Sequence, residues 1–267
     1  MKHFLSILLA VLFLFLQSIP ACSESAFPEG IEIEDVDMNG GGDAGVAPSV
    51  SVEISPRASF IDDIIALGRQ LYEKADGKYQ RAYLKSDIYV CKNFTVYLFR
   101  QNRAKYRMAE FPDVELRIPN NLPEKQCRPY AYGYCWEEIP ASRGNPFELA
   151  AQFLYDSNQT KEENRARALD FMKQVRRGDY FQMTGDYSGG KGAHSAIFIS
   201  DYDPADNTVH SMDSNRVGKR INGQRYGKVL FDSVMQIDEW VDFFCLKKCG
   251  ATLYRLRDDI IFADQVD

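Results

Sequence analysis

The chain has 267 residues, 45% of them hydrophobic, enough to bury one sizeable core with little left for a second. Its formal net charge of −6 is held by residues 22–57, where eight carboxylates face one cation, Arg57. Residues 58–267 are balanced, which predicts no strong field of either sign and excludes the basic concentration that nucleic-acid binding needs.

In chain order, Met1-Lys2-His3 is a short basic start, and Phe4 to Leu16 is apolar except for Ser6. That run is too short to span a bilayer comfortably and has export-signal flanks, so residues 1–21 are read as a signal peptide. Ile19-Pro20-Ala21-Cys22 resembles the bacterial lipobox, with proline at an unusual place. The resemblance implies lipidation of Cys22, the alternative being ordinary cleavage near Ala21. An acylated N-terminus would be the only membrane contact. Residues 22–57 contain Gly40-Gly41-Gly42, scattered prolines and no periodicity, and read as an acidic flexible tether to a domain at 58–267.

Within that domain, Ser59 is the expected cap of a helix running to about Asp76, with Phe60, Ile61, Ile64, Ile65, Leu67 and Leu71 as its stripe. Gly77-Lys78-Tyr79 breaks it. A second helix runs from Cys91 to about Lys105, since Phe94, Tyr97 and Leu98 recur at i, i+3, i+4. Cys91 then lies at a helix start, where orphan N–H groups and the positive dipole end stabilise a thiolate. Residues 107–175 read as an insertion. Its first part, to residue 146, is proline-rich and irregular; Trp136 and the Tyr130, Tyr132, Tyr134 run are read as packing it onto the body, the alternative being that they line a groove. Phe147–Tyr155 and Lys161–Val175 are expected helices.

After Gly178 the period changes to two. Strands are expected at Tyr180–Thr184, Ala193–Ser200, Thr208–Asp213, Lys228–Phe231 and Ala251–Arg257, with a helix over Ile237–Leu246. Helices first and an antiparallel meander after make an α+β domain. Of six cysteines, 22, 91, 127, 135, 245 and 249, the last four allow two bridges if Cys22 is lipidated and Cys91 is free. Cys127 with Cys135 is one pairing; Cys245 with Cys249 closes only if its helix ends there, and cross-pairing is equally open.

A cysteine nucleophile needs a base, and the base needs an orienting acceptor. Outside the signal the histidines are His194 and His210. With the hairpin turn near Ala205, opposed residues sum to about 410, so His194 faces the neighbourhood of Asn215 and Arg216. His210 lies roughly 20 Å along the strand at ~3.3 Å per residue. Asp213 is the preferred orienter because a carboxylate stabilises an imidazolium. Asn215 is the second choice and His210 the third. No metal or other cofactor is required by this chemistry.

Cys91-Lys92-Asn93-Phe94 resembles the Asp-Cys-Ser-Gly-Phe helix start of NlpC-type cell-wall peptidases, with Val90 in place of the aspartate. Arg177-Gly178-Asp179-Tyr180 and His194-Ser195-Ala196-Ile197 resemble the same family's Gly-Asp and His-Val-Ala-Ile strands. Asp213-Ser214-Asn215 is similar to the Glu-x-Asn element of the related CHAP amidases, and Gly77-Lys78-Tyr79 to a Gly-x-Pro-Tyr whose tyrosine helps bind the oxyanion. The resemblance implies a papain-like fold and an exported thiol hydrolase of the bacterial cell envelope or periplasm. Its triad would be Cys91, His194 and Asp213, cutting amide bonds in peptidoglycan, with Tyr79 accessory. The competing readings are an inactive binding module of the same fold, or a thiol amidase or acyltransferase acting on another amide or peptide substrate.

Overall fold

A computed structural model describes residues 54–81, 88–119, 135–184 and 194–266. Helix α1 (Pro56–Ala75) starts two residues before the expected domain boundary. Ser55, not Ser59, is its cap: the Ser55 side chain accepts from the Ala58 N–H at 3.2 Å, and Pro56 fills the first turn, where a missing N–H costs nothing. The helix ends where Asp76 turns left-handed at φ 49. Helix α2 (Cys91–Asn102) continues as a 3-10 turn to Lys105.

The centre is a seven-stranded, wholly antiparallel sheet. Its strands are β1 (Gln80–Arg81), β3 (Phe147–Leu154), β4 (Tyr180–Thr184), β5 (His194–Phe198), β6 (Thr208–Ile221), β7 (Gln224–Gln236) and β8 (Gly250–Leu256), in the order β1-β7-β6-β5-β4-β8-β3. A separate pair joins β2 (Tyr106–Met108) to β9 (Ile260–Phe262). Alternate strand residues serve opposite faces. Tyr180, Ile197, Met212 and Tyr254 pack with α1 and α2 around Phe60, Phe94 and Phe99. Phe181, Ala196, Phe198 and Leu253 pack with α3 (Lys161–Met172) and α4 (Ile237–Lys247) around Phe171, Trp240 and Phe244. The sheet is therefore covered on both faces, whereas the order of elements in the chain pointed only to helices preceding a meander.

Two expectations are corrected here. Phe147–Tyr155 is the edge strand β3, not a helix. Its Glu, Leu, Ala and Gln favour helix, but pairing with β8 overrides that weak preference. The register shift between Leu149 and Ala151 also moves the later residues to the other face, so Phe147 serves one core and Phe153 the other. Residues 107–175 are accordingly not an irregular insertion throughout: they supply the sheet edge and α3, which a Thr160/Glu163 capping box starts. Trp136 is fully buried, its ring centroid 4.6 Å from Tyr180 and 5.1 Å from Tyr254, the packing role expected of it. Tyr130, Tyr132 and Tyr134 lie outside the described residues.

Cys135 is disulfide-bonded, while Cys91, Cys245 and Cys249 take part in no disulfide, so the Cys245–Cys249 bridge is not formed. Helix α4 does end between them, at Lys247, but both sulfurs stay buried as thiols. Cys22 and Cys127 lie outside the described residues, as does the glycine-rich run 188–192.

The Gly178-Asp179 pair enters β4 by way of a buried ion pair. The fully buried Asp179 carboxylate accepts from Arg255 Nε at 2.8 Å and Nη2 at 2.7 Å, and from the Arg176 backbone N–H at 2.9 Å. Removing the guanidinium leaves that carboxylate without its countercharge, so Arg255→Ala is expected to cost about 3 kcal/mol or more. Urea unfolding of the variant checks this.

Candidate active site

Cys91 is the first residue of α2, and its N-cap, Val90, is extended with no side-chain capping bond. Intrahelical bonding begins with Phe94 N donating to Val90 O at 2.9 Å, so the preceding N–H groups point out of the helix end. An aspartate at the cap would bind those donors; a valine leaves them for the sulfur. The Lys92 backbone N–H does bond it, and the Ser195 N–H reaches it from β5. Below, Thr95 Oγ1 lies 3.1 Å from the Cys91 carbonyl and 3.1 Å from the Tyr180 hydroxyl, fixing the first turn to the sheet.

His194 opens β5, which brings its ring to the strand end where α2 begins. The β5–β6 register sets Ala196 opposite Asp213 and Ile197 opposite Met212, within one residue of the hairpin arithmetic. Asp213 is thus a diagonal neighbour of His194. His194 Nε2 lies 3.5 Å from Asp213 Oδ1, long for a hydrogen bond but within ion-pair reach, and neither atom has another hydrogen-bond partner. The imidazole also bonds Cys91, which leaves Nδ1 for the sulfur. Asp213 Oδ2 accepts from Arg216 Nε at 3.0 Å, so the carboxylate is held from behind. Trp240 lies along the ring at 6.4 Å and 24°.

These contacts govern the charges. Burial by itself would raise the Cys91 pKa, but the His194 hydrogen bond and charge, with the two backbone N–H groups, bring it below the ordinary thiol value. Burial would lower His194, yet Asp213 and then Cys91 outweigh it and push the imidazole up to about 9. Asp213 is also opposed by burial, and the His194 hydrogen bond and charge, then Arg216, hold it below the usual carboxylate range. Each of these contacts favours the thiolate–imidazolium form over the neutral pair, with a carboxylate behind it. Cys91 as a residue is only partly buried, while its sulfur sits among the buried groups that charge it.

Three accessory candidates are not in this constellation. Asn215 sits at φ 66 on a bulge, and its Oδ1 accepts from Arg225 Nε at 3.3 Å. His210 Nδ1 pairs with Asp232 Oδ1 at 2.6 Å across β6–β7 on the surface. The Tyr79 ring is covered by Lys219, whose Nζ stands 4.3 Å from the centroid. Conversely, four residues were missed. Thr95, Tyr180, Ser195 and Gln182 form a buried polar floor under Cys91, in which Ser195 donates to Gln182 and Gln182 Nε2 donates to the Met183 carbonyl at 2.7 Å. The one signal was the alternation of Tyr180 and Gln182 in β4, meaningful only once Gln182 is known to pair with Ser195; Thr95 on α2 gave none.

The balanced body also hides a local concentration of charge. Between Arg216 and Phe231 there are five cations and no carboxylate, which corrects the expectation of a body without strong fields. Against known proteins, the chain matches no family model, no curated protein and no solved structure.

Proposed function

We propose that this chain is an exported thiol hydrolase that cleaves amide bonds in peptidoglycan, on a papain-like fold of the NlpC/CHAP kind. One observation carries the reading: a cysteine at an uncapped helix start, partly exposed, bonded to a buried histidine that a buried aspartate backs. That is the geometry of nucleophile, base and orienter. The antiparallel sheet with α2 packed over β5 and β6 is compatible with the proposed fold. The disulfide at Cys135 suits an oxidising compartment, in keeping with an export signal.

In the proposed reaction the Cys91 thiolate attacks the amide carbonyl, and the outward N–H groups of the helix start receive the charge that develops on its oxygen. Nδ1 of His194 gives its proton to the leaving amine. The neutral ring then takes a proton from water, whose oxygen attacks the thioester and releases the acid. Asp213 keeps the ring turned toward the sulfur and stabilises its charged form. Val90 ahead of the cysteine removes a competitor for the helix N–H groups, so it does not argue against catalysis.

The test is digestion of purified peptidoglycan, read by mass spectrometry for new amino termini, beside Cys91→Ala. New termini with the wild type alone are expected. Their absence from both, under conditions where the protein is folded, contradicts a peptidoglycan substrate.

A further inference from the structure

We propose that the cleft lined by Arg216, Gly218, Lys219, Arg220 and Arg225 is a subsite for a carboxylate carried by the substrate, on the Asp213 side of the proposed triad. The substrate class is then an acidic peptide. The proposal deepens the hydrolase reading and rests on it for what happens at Cys91, but not for the binding itself.

The cleft is open to solvent and has a volume of about 260 Å³, room enough for a carboxylate and its first neighbours. Four of its five lining residues are cations. Gathering like charges on one hairpin is unfavourable unless an anion relieves it, and the stretch from Arg216 to Phe231 supplies no carboxylate of its own. Arg220 is exposed and makes no ion pair among the described residues. Lys219 is held in place by stacking its ammonium on Tyr79.

Position joins the cleft to the chemistry. Arg216 uses Nε on Asp213, leaving the rest of its planar fork for a bidentate acid. An anion there stands two side chains from the His194 ring, through Asp213. Strand β7, which carries Arg225, also approaches the segment before the nucleophile. A Cβ at Gly227 would fall 2.6 Å from the Tyr89 carbonyl oxygen, so only glycine lets β7 press against the segment two residues before Cys91. The same glycine seats Asn215, which in turn accepts from Arg225.

Binding to the full-length Cys91→Ala protein, which cannot turn over, tests this by calorimetry with a short glutamate-containing peptide, its glutamine counterpart and inorganic phosphate. The glutamate peptide is expected to bind about tenfold or more tighter than the glutamine peptide, with the advantage shrinking as salt rises. In the exposed double variant Lys219→Gln/Arg220→Gln the advantage should fall toward one. Equal affinity for the two peptides, or an unchanged ratio in the double variant, overturns the subsite. Phosphate binding more tightly than the glutamate peptide overturns its assignment to a carboxylate. Acidic-peptide binding by Cys91→Ala without cleavage by the wild type would sink the hydrolase reading and leave the subsite standing; cleavage with no charge preference would do the reverse.

Discussion

Asp213→Ala is expected to lower kcat/KM on the substrate by about 10³–10⁴-fold while leaving Cys91 in place. The loss has two parts. The ring loses its orienting partner on Nε2, and it loses the charge that opposes burial. With Asp213 present the imidazole titrates at about 9, so the catalytic ion pair survives on the alkaline side to about that pH. Without it, burial is left to disfavour the imidazolium, and the alkaline limb of the pH–rate profile moves to lower pH. A profile that only falls in height, with its alkaline limb unmoved, would assign Asp213 a purely structural role. Arg216→Gln removes a cation and leaves the carboxylate, so it should not move the limb down as Asp213→Ala does.

The second large effect is on the sulfur itself. His194→Ala takes away the contact that outweighs burial at Cys91, so the thiol should become harder to ionise than a free one. Iodoacetamide labelling of Cys91 at pH 7 is then expected to slow by about tenfold or more, since a thiol of ordinary pKa is only a few per cent ionised there. The same labelling followed at His210→Ala should be unchanged, because that ring is paired with Asp232 on the surface. Peptide mapping separates Cys91 from the buried Cys245 and Cys249. If His194→Ala labels as fast as the wild type, the histidine is not what charges the sulfur.

The parts of this site that were legible in the sequence are those set by local periodicity. Phe94, Tyr97 and Leu98 place a helix so that Cys91 must begin it, and Asp203-Pro204-Ala205-Asp206 fixes a turn from which the register of β5 and β6 can be counted. That count set His210 aside and left Asp213 and Asn215 within reach of His194; the carboxylate's chemistry chose between them. What stayed hidden depends on pairing between distant segments. The β3 strand reads as helix until β8 is beside it, and β9 is three residues whose partner lies some 150 positions earlier. Gln182 and Ser195 are ordinary strand residues until their register makes them the floor under a thiolate. The cationic cleft was obscured for another reason: a net charge averages over the whole domain, while a hairpin concentrates five cations on two strands. Asn215 misled because a positive φ turns it out of the alternation that the count assumes.

The central claim is that Cys91 rests as a thiolate paired with a protonated His194. The direct measurement is the ultraviolet thiolate absorbance of the wild type minus that of Cys91→Ser, recorded across pH, so that Cys245 and Cys249 cancel. Thiolate absorbance persisting at neutral pH, well below the ordinary 9.0 of a free thiol, is the predicted result. A difference signal that rises only as the pH passes through about 9, as for an isolated cysteine, would contradict it.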